Sequence, residues 1–60
     1  MNYKLIFLPE AYIIFQCQTL MEMREFIQHH QNLGASFSSG KFCILDVMVD
    51  KEVLLSDLGL

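Results

Sequence analysis

"KFCILDVMVD", residues 41–50, is apolar on both sides when read as a strand. At a side-chain period of two, Cys43, Leu45, Val47 and Val49 share one face. Phe42, Ile44 and Met48 share the other with Asp46 and Asp50. A chain of 60 residues has material for about one amphipathic helix, and one helix covers one face of a sheet. What lies against the second face is the question on which the reading turns.

That helix is the clearest element. "TLMEMREFIQHHQNLG", residues 19–34, opens with Thr19 followed three positions later by Glu22, the spacing of a capping box. It closes at Gly34, a residue suited to a left-handed C-cap. Leu20, Met23, Phe26, Ile27 and His30 fall on one arc at helical spacing, and Arg24, Glu25, Gln28, His29 and Gln31 lie elsewhere on the wheel. Upstream, residues 3–8, "YKLIFL", are β-branched and aromatic enough for a strand. Pro9-Glu10 breaks the run, and residues 12–17, "YIIFQC", form a second strand with Ile13, Phe15 and Cys17 on one side. A rival reading makes Pro9 the first residue of one long helix. Tyr12 to Phe15 are poor helix formers and apolar all round, which weighs against it.

Residues 32–40 read as a loop in which Phe37 turns back toward the core. After the quoted strand, Asp50-Lys51-Glu52 is the expected turn, "VLL" a short fourth strand, and "SDLGL" a tail with two exposed leucines. The order is ββαββ. It predicts a small α+β fold over residues 1–60 as a single compact domain, a mostly antiparallel sheet with one amphipathic helix packed on one face. Ile13, Phe15, Leu45 and Val47 are expected beneath the helix. Tyr12, Ile14, Phe42, Ile44 and Met48 are expected on the uncovered face, as a protein interface shielded by a second chain.

Composition agrees with association. Hydrophobic residues make up 53% of the chain and charged residues 18%, below the ~25% charged fraction of typical soluble domains. So apolar a chain is not disordered, and so short a one is marginal as a lone monomer. The N-terminal apolar stretch is interrupted at Pro9, short of a signal h-region, and no run approaches the ~18 residues of a spanning helix. The expected compartment is the cytoplasm, away from membranes, with Cys17 and Cys43 reduced.

The chemistry-bearing residues do not converge. Net charge is −3, and the four basic residues, Lys4, Arg24, Lys41 and Lys51, stand singly. Nucleic-acid binding needs clustered cations facing phosphates, so direct binding is not expected; a basic patch would form only on oligomerisation. Cys17, His29, His30 and Cys43 are the possible metal or thiol set, but the cysteines lie 26 positions apart and lack the short ligand spacing of zinc sites. Cys17 precedes a helix N-terminus, which favours a thiolate, while Cys43 sits in an apolar strand where a thiol acts as a small hydrophobe. Asp46, Asp50 and Glu52 read as edge charges that resist aggregation. Gly34, Gly40 and Gly59 lack phosphate-loop spacing. No cofactor is implied. The expected function is that of a non-enzymatic protein-binding protein, an inhibitor, an antitoxin-like regulator or an accessory subunit, acting as a homodimer through an apolar sheet face. A metal- or thiol-dependent module and a nucleic-acid accessory protein are the alternatives.

Overall fold

The computed structural model describes residues 2–38 and 40–60; Ser39, within the expected loop, and Met1 lie outside them. The fold is α+β. Strands β1 (Tyr3–Phe7), β2 (Tyr12–Cys17), β3 (Phe42–Asp46) and β4 (Lys51–Val53) form one antiparallel sheet in the order β2-β1-β3-β4, and helix α1 (Leu20–Asn32) lies between β2 and β3 in the chain.

β1 and β2 are joined by a 3-10 turn, Leu8–Glu10, with Pro9 in its first positions and Ala11 closing it at φ 52°. Pro9 thus turns the chain rather than starting a long helix, because a proline with no N–H is at home where the first donors of a turn are unpaired. Strand β2 carries a bulge. Phe15 pairs with Leu5 and Ile13 with Ile6, so Ile14 is the extra residue. A bulge resets which face each side chain takes.

The ends of α1 follow the sequence signals. Thr19 Oγ1 accepts the Glu22 N–H at 3.2 Å, and the Glu22 carboxylate accepts the Gln18 N–H at 3.2 Å. At the far end the Gly34 N–H reaches Gln31 O (3.0 Å) and the Ala35 N–H reaches His30 O (2.9 Å), with Gly34 at φ 100°. That pairing of bonds is a Schellman close, which requires the left-handed conformation glycine adopts without a Cβ clash.

The core is small and lies wholly on one side of the sheet. Leu5, Cys17, Met23, Ile27, Ile44 and Leu58 are buried, and Phe15, Leu20, Phe26, Phe37 and Phe42 pack around them. Phe15 stacks on Phe26 at 4.1 Å, which fixes the helix over β2. Phe37 returns to the core as expected, its ring 5.1 Å from Phe42.

Four expectations are corrected. The alternation in β3 holds, but its sides are exchanged: Ile44 is 3% exposed and pairs with Leu5 on the covered side, with Phe42 beside it opposite Phe7. Leu45 therefore faces outward. Both faces of β3 are apolar, so periodicity gives the alternation and not its sense; the bulkier Phe42 and Ile44 fill the space beneath the cover. Ile13 also leaves the covered side, because the bulge aligns it with Ile6. The strand and turn limits move as well. β3 stops at Asp46, whose carboxylate accepts the Met48 N–H at 3.1 Å in an Asx-type turn, and Val47–Asp50 form the reversal. Lys51 and Glu52 belong to β4 rather than to a turn. Finally, the two leucines of the "SDLGL" tail are not exposed. Leu55–Leu58 form a 3-10 turn that buries Leu58, Leu60 packs on the core, and Arg24 Nε donates to Leu58 O at 2.8 Å.

Two outcomes are expected in urea titrations followed by circular dichroism. Ile27→Ala, which opens a cavity under the helix, lowers stability by about 2–5 kcal/mol, and Thr19→Ala lowers it by about 1 kcal/mol through the lost cap.

Candidate interaction surface

Everything that covers the sheet does so from one side: α1 over β2 and β1, the Leu55–Leu58 turn against α1, and Phe37 against Phe42. Among the described residues nothing packs on the other face. Its composition follows from the register. One cross-strand row runs Gln16, Lys4, Leu45, Glu52; the next runs Ile13, Ile6, Cys43. Leu54 follows Val53 beyond the end of β4 and is half exposed. The face is an apolar patch interrupted by one cation and one anion. Lys4 and Glu52 stand one strand to either side of Leu45, about 10 Å apart at two strand spacings.

The five residues expected to form an interface are not on one surface. Phe42 and Ile44 belong to the covered side, as described above. Tyr12, 60% exposed, sits at the start of β2 opposite Phe7. Ile14 is the bulged residue. Met48, 77% exposed, tops the Val47–Asp50 turn together with the exposed Val47 and Val49. The residues that do line the open face are Ile6, Ile13, Cys43 and Leu45 with Lys4 and Glu52. Lys4 was the available signal. It is the only charge in "YKLIFL", and in a central strand a lone charge marks the uncovered face. Its opposition to Leu45 needs the β1–β3 register, which the sequence does not state.

The edges differ. β4 is three residues long and bears Lys51 and Glu52, so its free side is short and charged. β2 is six residues long with no charge, and the bulge interrupts its regularity.

The possible metal and thiol residues are dispersed. Cys17 is buried on the helix side, where its thiol lies 3.2 Å from Thr19 O. Cys43 is on the open face, so the sheet separates the two sulfurs. His29 and His30 have ring centroids 5.4 Å apart, and His30 leans on Phe26 at 4.4 Å. Among the described residues no three His, Cys, Asp or Glu side chains gather into a metal-binding group. Both thiols are held above the ordinary cysteine range. For Cys17 burial is the larger cause and the Glu22 carboxylate the second, outweighing backbone hydrogen bonds at Thr19 and Met23 that favour the thiolate. For Cys43 burial leads and the Glu52 carboxylate adds to it. The helix start does not draw the Cys17 thiol below its ordinary range.

The basic residues stay apart. Lys4 is on the open face and Lys41 precedes β3; Lys51 opposes Asp46, and Arg24 is engaged with Leu58 O and, at 3.4 Å, the Gln28 side chain. No helix among the described residues is long and apolar enough to cross a membrane. No protein-family model, curated protein or solved structure matches the chain.

The thiol environments give a pH-dependent outcome. A thiol with a raised folded-state pKa is protonated in the fold at pH values where the unfolded chain has begun to ionise. The associated stability is therefore complete below about pH 8.5 and is lost as pH rises through the folded values. In dilute protein, alkylation followed by mass spectrometry gives midpoints above the free-cysteine value for both sulfurs. Glu52→Gln lowers the Cys43 midpoint, because it removes a neighbouring negative charge, and leaves that of Cys17 unchanged.

Proposed function

We propose that this chain is a non-enzymatic protein-binding protein, an accessory subunit or inhibitor-like regulator, that works through the uncovered face of its sheet. One observation carries the reading: a four-stranded sheet whose helix, 3-10 turn and loop aromatic all lie on one side, leaving Ile6, Ile13, Cys43 and Leu45 on the other. Contiguous apolar surface of this kind, rimmed by polar residues, is the usual mark of a protein contact. The total accessible surface of 4082 Å² is what a compact chain of 7.0 kDa is expected to show, roughly 4,000 Å². The open face is thus a feature of a well-closed fold and not of a loose one.

The exposed Val47, Met48 and Val49 at the β3–β4 turn offer a second, smaller apolar contact. A methionine at such a tip suits a partner surface that varies in shape. Homodimerisation and binding to another protein are compatible, since the turn and the sheet face are distinct surfaces.

The reading is tested with light scattering behind size exclusion across a wide range of concentration, paired with an apolar fluorescent dye on the most dilute sample. The expected result is a mass above 7.0 kDa as concentration rises, or dye binding by the dilute monomer. Leu45→Asp abolishes both while far-UV circular dichroism is retained. A monomer of constant mass that binds no dye would overturn the reading, because the open face would then be self-sufficient.

A further inference from the structure

We infer that the occupant of the open face is a second copy of the chain, packed face to face about a twofold axis running along β3 through Leu45, so that Lys4 of each copy meets Glu52 of the other. This rests on the proposal that the open face is a protein-binding surface, and it names the partner.

The argument is one of charge order. In the row Lys4, Leu45, Glu52 the two charges are opposite in sign and equidistant from the central leucine. Two sheets can be laid face to face about a twofold axis that runs either along the strands or across them. An axis across the strands brings each side chain of the row over its own copy, Lys4 on Lys4 and Glu52 on Glu52, and like charges face each other. An axis along β3 exchanges the flanking strands, so β1 of one copy lies over β4 of the other. Both charge pairs are then of opposite sign, and Leu45 meets Leu45 at the axis. A self-complementary patch of this kind is what an isologous contact requires. In the next row Cys43 lies on the axis and Ile6 of one copy comes over the chain just beyond Val53 of the other, while β2, with Gln16 and Ile13, extends past the partner's β4. Face-to-face sheets pack about 10 Å apart with strands within about 30° of parallel, a geometry in which lysine and glutamate side chains reach across. The one like-charge pair, Lys41 with its copy, falls beyond the end of β3, where Lys41 is exposed.

A heterologous partner would place no such condition on the order of charges within this chain. Nor would pairing through the free edge of β2, whose residues "YIIFQC" carry no charge. The charge order is put to use by a face-to-face copy and by neither alternative.

The test combines charge reversal with thiol protection, with the dimer constant measured by analytical ultracentrifugation. Lys4→Glu and Glu52→Lys each place two like-charge pairs at the interface, and each raises the dimer dissociation constant by about tenfold or more. An equimolar mixture of the two variants restores wild-type affinity, since both contacts between unlike chains are then of opposite sign, and the double variant restores it in a homodimer. In a Cys17→Ala background, Cys43 becomes shielded from alkylation as concentration rises through the dimer range. A dimer indifferent to both charge reversals, or one in which Cys43 is alkylated as readily as in the monomer, would overturn this geometry and point to the β2 edge. A wild-type monomer that binds the apolar dye would overturn the second copy as occupant while leaving the protein-binding reading intact. A monomer that binds no dye would remove both.

Discussion

The contact between Leu5 and Ile44, side by side on β1 and β3 beneath Met23 and Ile27, is the one on which the rest of the molecule depends. β1 is the inner strand through which β2 joins the other two, and Leu5 is its buried residue, 1% exposed. Through that residue the N-terminal hairpin, the helix and the later strands share one core. With only six buried apolar side chains among the described residues, no part of the core is redundant. The C-terminal 3-10 turn is drawn in for the same reason. A helix of 13 residues is about 20 Å long and sits over β2 and β1, so Leu55, Leu58 and Leu60 supply apolar cover that the helix alone does not.

Concentrating all cover on one side has a chemical consequence. The sheet becomes a partition, with one cysteine on each side of it, and the polar residues are distributed along rows rather than gathered in a hollow. Arg24 is used to fasten a turn, and Asp46 to close one.

The parts of the structure legible in the sequence are those set by local physics. The capping spacing of Thr19 and Glu22, the stripe from Leu20 to His30, and Gly34 as the left-handed close define α1 without reference to any other element. The strand runs and the ββαββ order follow from apolar periodicity and from Pro9. What was not legible depends on register. Residues 42–46 alternate as expected, yet which side faces the helix is decided by pairing with Leu5, a residue far away in sequence. Ile13 changes sides because of a bulge that no residue in "YIIFQC" announces. The C-terminal leucines looked exposed because a single turn of 3-10 helix has no periodicity to read, and its burial depends on a hydrogen bond from Arg24. Phe42 and Ile44 lie on the covered side for this same reason: an alternation taken in the wrong sense exchanges every residue of a strand at once.

The strand order also governs when the molecule can come into being during synthesis. β1 is translated first but needs partners on both edges, and its second partner, β3, follows only after the helix and the long loop have been made. Leu58 must then arrive before the core closes. Until that point the nascent chain can hold a β1–β2 hairpin with the inner edge of β1 and the apolar stripe of the helix both open to solvent. Such an exposed intermediate is the state in which non-local sheet proteins engage chaperones or one another, so for this chain the period of greatest vulnerability is set by topology rather than by the stability of the finished fold.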